Sequence, residues 1–235
     1  VAFLLGKKFD SLCHGAVAIT SHDAPCPKGF KREWRETLEL RVAIYRRLPE
    51  DLTAELESLI PWFIEKVNWS WHAGLRPQEM HKVTVACEAC VLILRRNKKD
   101  YSKFREIEFF PRNLKSVGEE DWAGSANQSR VRLGWYWAEQ GMEDGCDNYN
   151  VVLHEFAHVL DRMPDNRSRA DPHIEKSDLA NDWKSFAEAE FKDLCKRWER
   201  KSGLRVVREY GTTNKAEFFA CSTEAFFERS EELKL

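Results

Sequence analysis

The pentapeptide His154-Glu155-Phe156-Ala157-His158, set between Val151-Val152-Leu153 and Val159-Leu160, constrains this chain more than any other feature. Four residues of α-helix turn about 400°, so imidazoles at i and i+4 leave one face a turn apart, where they can grip one cation. The apolar flanks predict a core-packed helix, which holds such side chains rigidly. Glu155 is too close to the first histidine to share its metal, but it can reach the water that completes the shell. Neutral imidazole suits Zn²⁺, and three protein ligands leave a fourth position open. Such an ion lowers the pKa of its water to about 7. Glu155 is then the candidate general base, taking the proton and passing it to a leaving amine. The plainer alternative is a buried helix whose histidines only satisfy hydrogen bonds to their neighbours.

A third ligand is sought among downstream carboxylates. Glu217 lies at the start of an aromatic, apolar stretch, Ala216-Glu217-Phe218-Phe219-Ala220-Cys221, where a charge is costly unless paired or metal-bound. Asn214-x-x-Glu217 also has the form of a capping box, in which Glu217 merely closes a helix start. Glu224, seven residues on and on nearly the same face, is the rival ligand; alternatively it supports a histidine from behind.

Periodicity supplies the frame. Residues 1–48 read as irregular, punctuated by Pro25, Pro27 and Gly29. Leu52, Leu56, Leu59, Phe63 and Val67 recur at helical spacing over Glu50–Trp69, with Pro61 expected to kink or divide that helix. Further helices are predicted over Pro77–Arg96, Tyr149–Arg162, Asp182–Lys201 and Lys215–Glu228. Strand-like content covers Arg105–Phe110 and Arg130–Ala138, the latter alternating from Val131 to Trp137. No repeat or linker divides the chain. The expectation is one α+β domain over 1–235, mostly helical, with a small mixed sheet.

Composition removes other classes. Hydrophobic residues are 43% and charged residues 32%, which is globular. A formal charge of −2 offers no global field towards nucleic acid or anionic lipid. No apolar run approaches a membrane span, and Val1–Leu5 stops at Gly6-Lys7-Lys8, short of a signal-peptide core. A cytoplasmic location, without membrane or nucleic-acid partners, is expected. The seven cysteines are odd in number and irregularly spaced; Cys87 and Cys90 are expected as buried helix thiols rather than a redox or zinc pair. Arg95, Arg96, Lys98, Lys99, Lys103 and Arg105, with Tyr101 and Phe104 between them, read as a solvated connection.

Two blocks, Asn150–Asp161 and Tyr210-Gly211-Thr212-Thr213-Asn214-Lys215-Ala216-Glu217-Phe218-Phe219-Ala220, together resemble the Mlc titration factor A family of zinc metallopeptidases. These are zincins with a glutamate third ligand. The resemblance extends from about Trp34 to Glu228 and is sharp over the two blocks. It implies a zincin-like fold, one zinc ion held by His154, His158 and Glu217, and Glu155 as general base. It further implies Tyr210 as a residue tied to activity, able to donate to an oxyanion, and Asp161 as a support for His158 from the same helix side, a helix-end charge being the plain alternative. Lys215 stands where relatives often carry proline, and Arg162–Lys176 lacks their glycines. The function expected is a zinc-dependent, aminopeptidase-like metallopeptidase acting on peptide or protein substrates. The alternative is a binding protein of the same fold that sequesters a transcriptional regulator. The strand holding Gly134 and Trp135 is the expected place for substrate backbone to pair.

Overall fold

The computed structural model describes residues 25–113, 122–161, 177–203 and 205–233. Among the sequence features named above, the Val1–Leu5 run and the 162–176 loop lie outside them. The chain opens with α1 (Arg32–Arg41), α2 (Ala43–Arg47) and α3 (Glu50–Lys66), followed by β1 (Asn68–Trp71) and α4 (Glu79–Val91). Strands β2 (Glu106–Phe110), β3 (Gly124–Ala126) and β4 (Arg130–Gly134) come next, then α5 (Trp135–Glu143) and α6 (Val151–Asp161). The last helices are α7 (Ser177–Glu199), α8 (Lys215–Glu228) and α9 (Ser230–Leu233). The architecture is α+β and mostly helical.

The four strands form one mixed sheet in the order β1-β2-β4-β3. β1 and β4 both run parallel to β2, and β3 pairs antiparallel with β4, bringing Gly124 opposite Leu133. Among the described strands β3 stands outermost beside β4, and it lies alongside α6.

Every residue of α6 is buried, as expected of a helix apolar on nearly all sides. Asn150 starts it: its side-chain oxygen accepts from the Leu153 N–H at 3.0 Å and its carbonyl from the His154 N–H at 2.9 Å. Phe156 points away from the two histidines, into a cluster with Phe63, Tyr101 and Phe104 at ring separations of 5.2–5.8 Å. That anchor fixes the rotation of the helix and so the direction in which the imidazoles face.

Several expectations are corrected. Arg32–Arg41 and Ala43–Arg47 are helical, not irregular. The stripe there is Trp34, Arg35 and Leu38, and its central member is an arginine. Arg35 is buried because its guanidinium grips both Glu57 oxygens at 2.8 Å, while the Tyr45 hydroxyl donates to Glu57 at 2.7 Å. A hydropathy pattern does not register a paired charge as core. Pro61 sits inside a continuous α3, which tertiary packing sustains. That helix stops at Lys66, and Asn68 and Trp69, read as its end, belong to the strand Asn68–Trp71. The alternation up to Trp137 crosses an element boundary. A Cβ at Gly134 would fall 1.6 Å from the Arg112 carbonyl oxygen, and the strand ends at that close approach. Trp135 then opens α5 and packs on His81 at 4.2 Å. Since β4 is flanked by β2 and β3, its backbone is not open to a substrate.

Cys87 and Cys90 are buried on α4, and burial pushes both thiols up. In the basic run, Tyr101 and Phe104 are core residues, Arg95 pairs with Asp51 and Glu55, and Arg96 pairs with Asp100. Among the described residues no helix is long and apolar enough to cross a membrane.

Candidate metal centre

α6 and α8 pack closely, and the contact brings three side-chain atoms together. His154 Nε2 lies 3.2 Å from His158 Nε2, and Glu217 Oε2 lies 3.0 Å from the first and 3.3 Å from the second. Ligand atoms about 2.0–2.1 Å from a tetrahedral Zn²⁺ stand roughly 3.3 Å apart. The donor set is thus two imidazole nitrogens and one carboxylate oxygen at the mutual spacing such an ion requires. Two bare nitrogen lone pairs facing each other at 3.2 Å repel unless a proton or a cation lies between them. Burial opposes charge on Glu217, but hydrogen bonds from His154 and His158 outweigh it and hold the carboxyl well below its usual range. The oxygen offered to a cation is therefore anionic.

Glu217 reaches this position because Asn214 caps α8, accepting from the Ala216 and Glu217 N–H groups at 2.9 and 3.1 Å. The Asn214 half of the capping box forms, while the Glu217 carboxylate turns to the histidines.

Glu224 occupies the opposite side of the same imidazole. Its Oε1 is 2.8 Å from His154 Nδ1 and accepts from Arg208 Nη2 at 2.6 Å; its Oε2 accepts from the Asn150 N–H at 2.7 Å. An ionised carboxylate only accepts, so Nδ1 carries a proton towards Glu224; a cation between the three atoms would take the place of the Nε2 proton that faces Glu217 and would meet the Nε2 lone pair. Glu224 therefore orients a histidine rather than joining the three converging atoms. His154, Cys221 and Glu224 form a second close group. Arg208 already supplies positive charge there, which disfavours a cation. Burial opposes a charged His154, yet hydrogen bonds with Cys221, Glu217 and Glu224 raise its pKa well above the usual value.

Glu155 is buried and faces β3: a Cβ on Gly124 would lie 2.7 Å from its Oε1. Tyr210, 43% exposed, stands on a 3₁₀ turn over Glu209–Thr212 with its ring 6.0 Å from His154. Burial raises its phenol, with the Glu217 charge adding to the shift, so it remains a proton donor at neutral pH. Asp161 is buried at the end of α6 but makes no hydrogen bond to His158 Nδ1, which has no partner among the described residues. These groups open on a cavity of about 290 Å³, with β3 along one side and Tyr149, Arg208 and Tyr210 among its other walls.

Asn150, Gly124, Glu88 and Arg208 were not legible as site residues. Asn150 alone carried a signal, as a capping residue immediately before an apolar helix. Its side-chain amide donates to the fully buried Glu88 at 2.7 Å, tying α4 to α6, while its N–H ties α6 to Glu224 on α8.

A family model described as glucose-regulated metallo-peptidase M90 matches residues 24–235. An uncharacterized protein of Synechocystis sp. is 27% identical over 215 residues, covering 86% of this chain and 78% of its own. Proteins named Mlc titration factor A from Escherichia coli and Klebsiella pneumoniae are 23% and 24% identical over 213 residues, 84% of this chain and 78% of theirs.

Proposed function

The chain belongs to the glucose-regulated metallo-peptidase M90 family, and from that premise we propose that it is a zinc-dependent peptidase of zincin-like fold that cleaves short peptides in an aminopeptidase-like manner. One observation carries the reading: His154 Nε2, His158 Nε2 and Glu217 Oε2 converge within 3.0–3.3 Å, from a buried helix and a capped helix start. Those three would hold the ion, which supplies Lewis acidity towards a water and a carbonyl oxygen.

The remaining work falls to the chain itself. Glu155 holds the proton of the attacking water and delivers it to the departing nitrogen. The Tyr210 hydroxyl donates to the oxygen that becomes negative as the carbonyl is attacked. Glu224, fixed by Arg208 and Asn150, keeps His154 in the tautomer with Nε2 free. β3 lies along one wall of the cleft, where an extended peptide would be laid. Gly124 on that strand allows it to run against Glu155.

The test is metal content by mass spectrometry together with peptide hydrolysis by the wild type and Glu155→Gln. One zinc per chain, with hydrolysis abolished by Glu155→Gln, is expected. A chain that takes up no metal, or a Glu155→Gln variant of full activity, refutes the reading. The relatives named Mlc titration factor A favour a second reading, in which the chain acts by capturing a transcriptional regulator. Capture that survives both Glu155→Gln and zinc removal, with no peptide turned over, would select it.

A further inference from the structure

Among the described residues that line the cavity, Arg208 is the one lysine or arginine. Its guanidinium is held in place on two sides: Nη2 donates to Glu224 Oε1 at 2.6 Å, and the group stands 4.7 Å from the centre of the Tyr149 ring. A quarter of the side chain remains accessible. A guanidinium carries five N–H donors, and the hydrogen bond to Glu224 uses one of them; Nε is closed off from solvent, which leaves the terminal nitrogens to meet a ligand. Glu224 does not cancel this charge by itself, since the oxygen facing Arg208 also faces His154 Nδ1 and the other accepts from Asn150. A clamped cation with donors to spare, on the wall of a cleft, is preorganised for an oxygen acceptor.

We propose that Arg208 is a substrate-recognition residue that receives a peptide oxygen, either a backbone carbonyl or a C-terminal carboxylate, beside the metal centre. The proposal rests on the peptidase reading and deepens it. Arg208 and His154 share one Glu224 oxygen, so the bound oxygen belongs to a residue close to the bond that is cut. In a short peptide that residue is near the C-terminus, and the two sources of oxygen then differ by a full charge.

The experiment measures binding, so that turnover does not enter. Zinc-loaded Glu155→Gln protein is titrated calorimetrically with trialanine, its N-terminus free, as the free acid and as the C-terminal amide, and the measurement is repeated with Arg208→Ala or Arg208→Lys added. Arg208→Ala is expected to weaken binding of the acid about tenfold or more, with zinc content unchanged. Arg208→Lys, which retains a charge to face Glu224, should recover part of the loss. If the amide weakens equally on Arg208→Ala, the oxygen is a carbonyl; if the amide binds weakly from the start and ignores the substitution, it is the carboxylate. Unchanged binding of both forms, or a loss that follows a matching loss of zinc, overturns the inference and leaves Arg208 only as a brace for Glu224. No binding of either form to the Glu155→Gln protein overturns the peptidase reading, and this inference with it.

Discussion

Gly124 and Glu155 are packed so closely that no side chain fits between them: a Cβ at position 124 would stand 2.7 Å from the Glu155 carboxylate and 2.8 Å from the Val151 side chain. Strand β3 and the helix bearing the candidate base thus approach at a contact that glycine alone permits. The position of Glu155 in the cleft depends on a residue in a different element.

Gly124→Ala is therefore expected to lower kcat about tenfold or more, since misplacing a proton acceptor by even 1 Å is costly. Zinc content should be unaffected. Steady-state kinetics with metal analysis check this; undiminished kcat would show that Glu155 has room to move aside.

The two acidic residues on α8 should separate in metal binding. Glu217→Gln is expected to leave the chain without stoichiometric zinc. Glu224→Gln should bind it roughly 10–100-fold more weakly, as loss of a group that orients a ligand does. Competition with a chromophoric chelator measures both. Equal losses would mean the two carboxylates share one role.

Glu88 and Glu228 are raised from 4.5 to about 8 and about 9, chiefly by burial. Each binds its proton more tightly folded than unfolded, so their contribution to stability is complete below pH 4.5. It is lost as pH climbs through the folded values. The melting temperature should fall between about pH 5 and 9, and Glu88→Gln should flatten that fall over the lower part of the range. Thermal melts across the pH series decide it; a wild-type melting temperature rising from pH 5 to 9 would contradict the assignment.

Removing one partner of the buried Arg35–Glu57 pair strands a charge. Glu57→Ala is expected to cost about 3–5 kcal/mol, whereas replacing both residues by apolar side chains of similar volume should cost far less. Denaturant titrations of the single and double variants test this, and comparable losses would place the stabilisation elsewhere.

Chelation should lower the melting temperature of the zinc-loaded chain, because an ion bound only to the folded state stabilises it by mass action. Restoring zinc should reverse the change. A melt indifferent to chelator would leave the three converging atoms without a tightly bound ion.

Helix positions were readable where the apolar stripe was unbroken, as in Lys215–Glu228, whose predicted and observed limits coincide. The reading failed where burial is achieved by pairing rather than by apolarity, as at Arg35, and where an element is too short to show a period, as in Asn68–Trp71 and Gly124–Ala126. It also ran Val131–Trp137 together as one strand, because the break at Gly134 comes from a contact with Arg112, distant in sequence.

The spacing of His154 and His158 was determined by the sequence alone, because helix geometry places i and i+4 on one face whatever surrounds them. Which carboxylate meets those nitrogens was a tertiary decision. Glu217 and Glu224 share nearly one helix face, and the packing of α8 against α6 sends the first to Nε2 and the second to Nδ1. The periodicity of a single helix cannot express that choice, since it depends on the relative translation of two helices set by side chains elsewhere in the core.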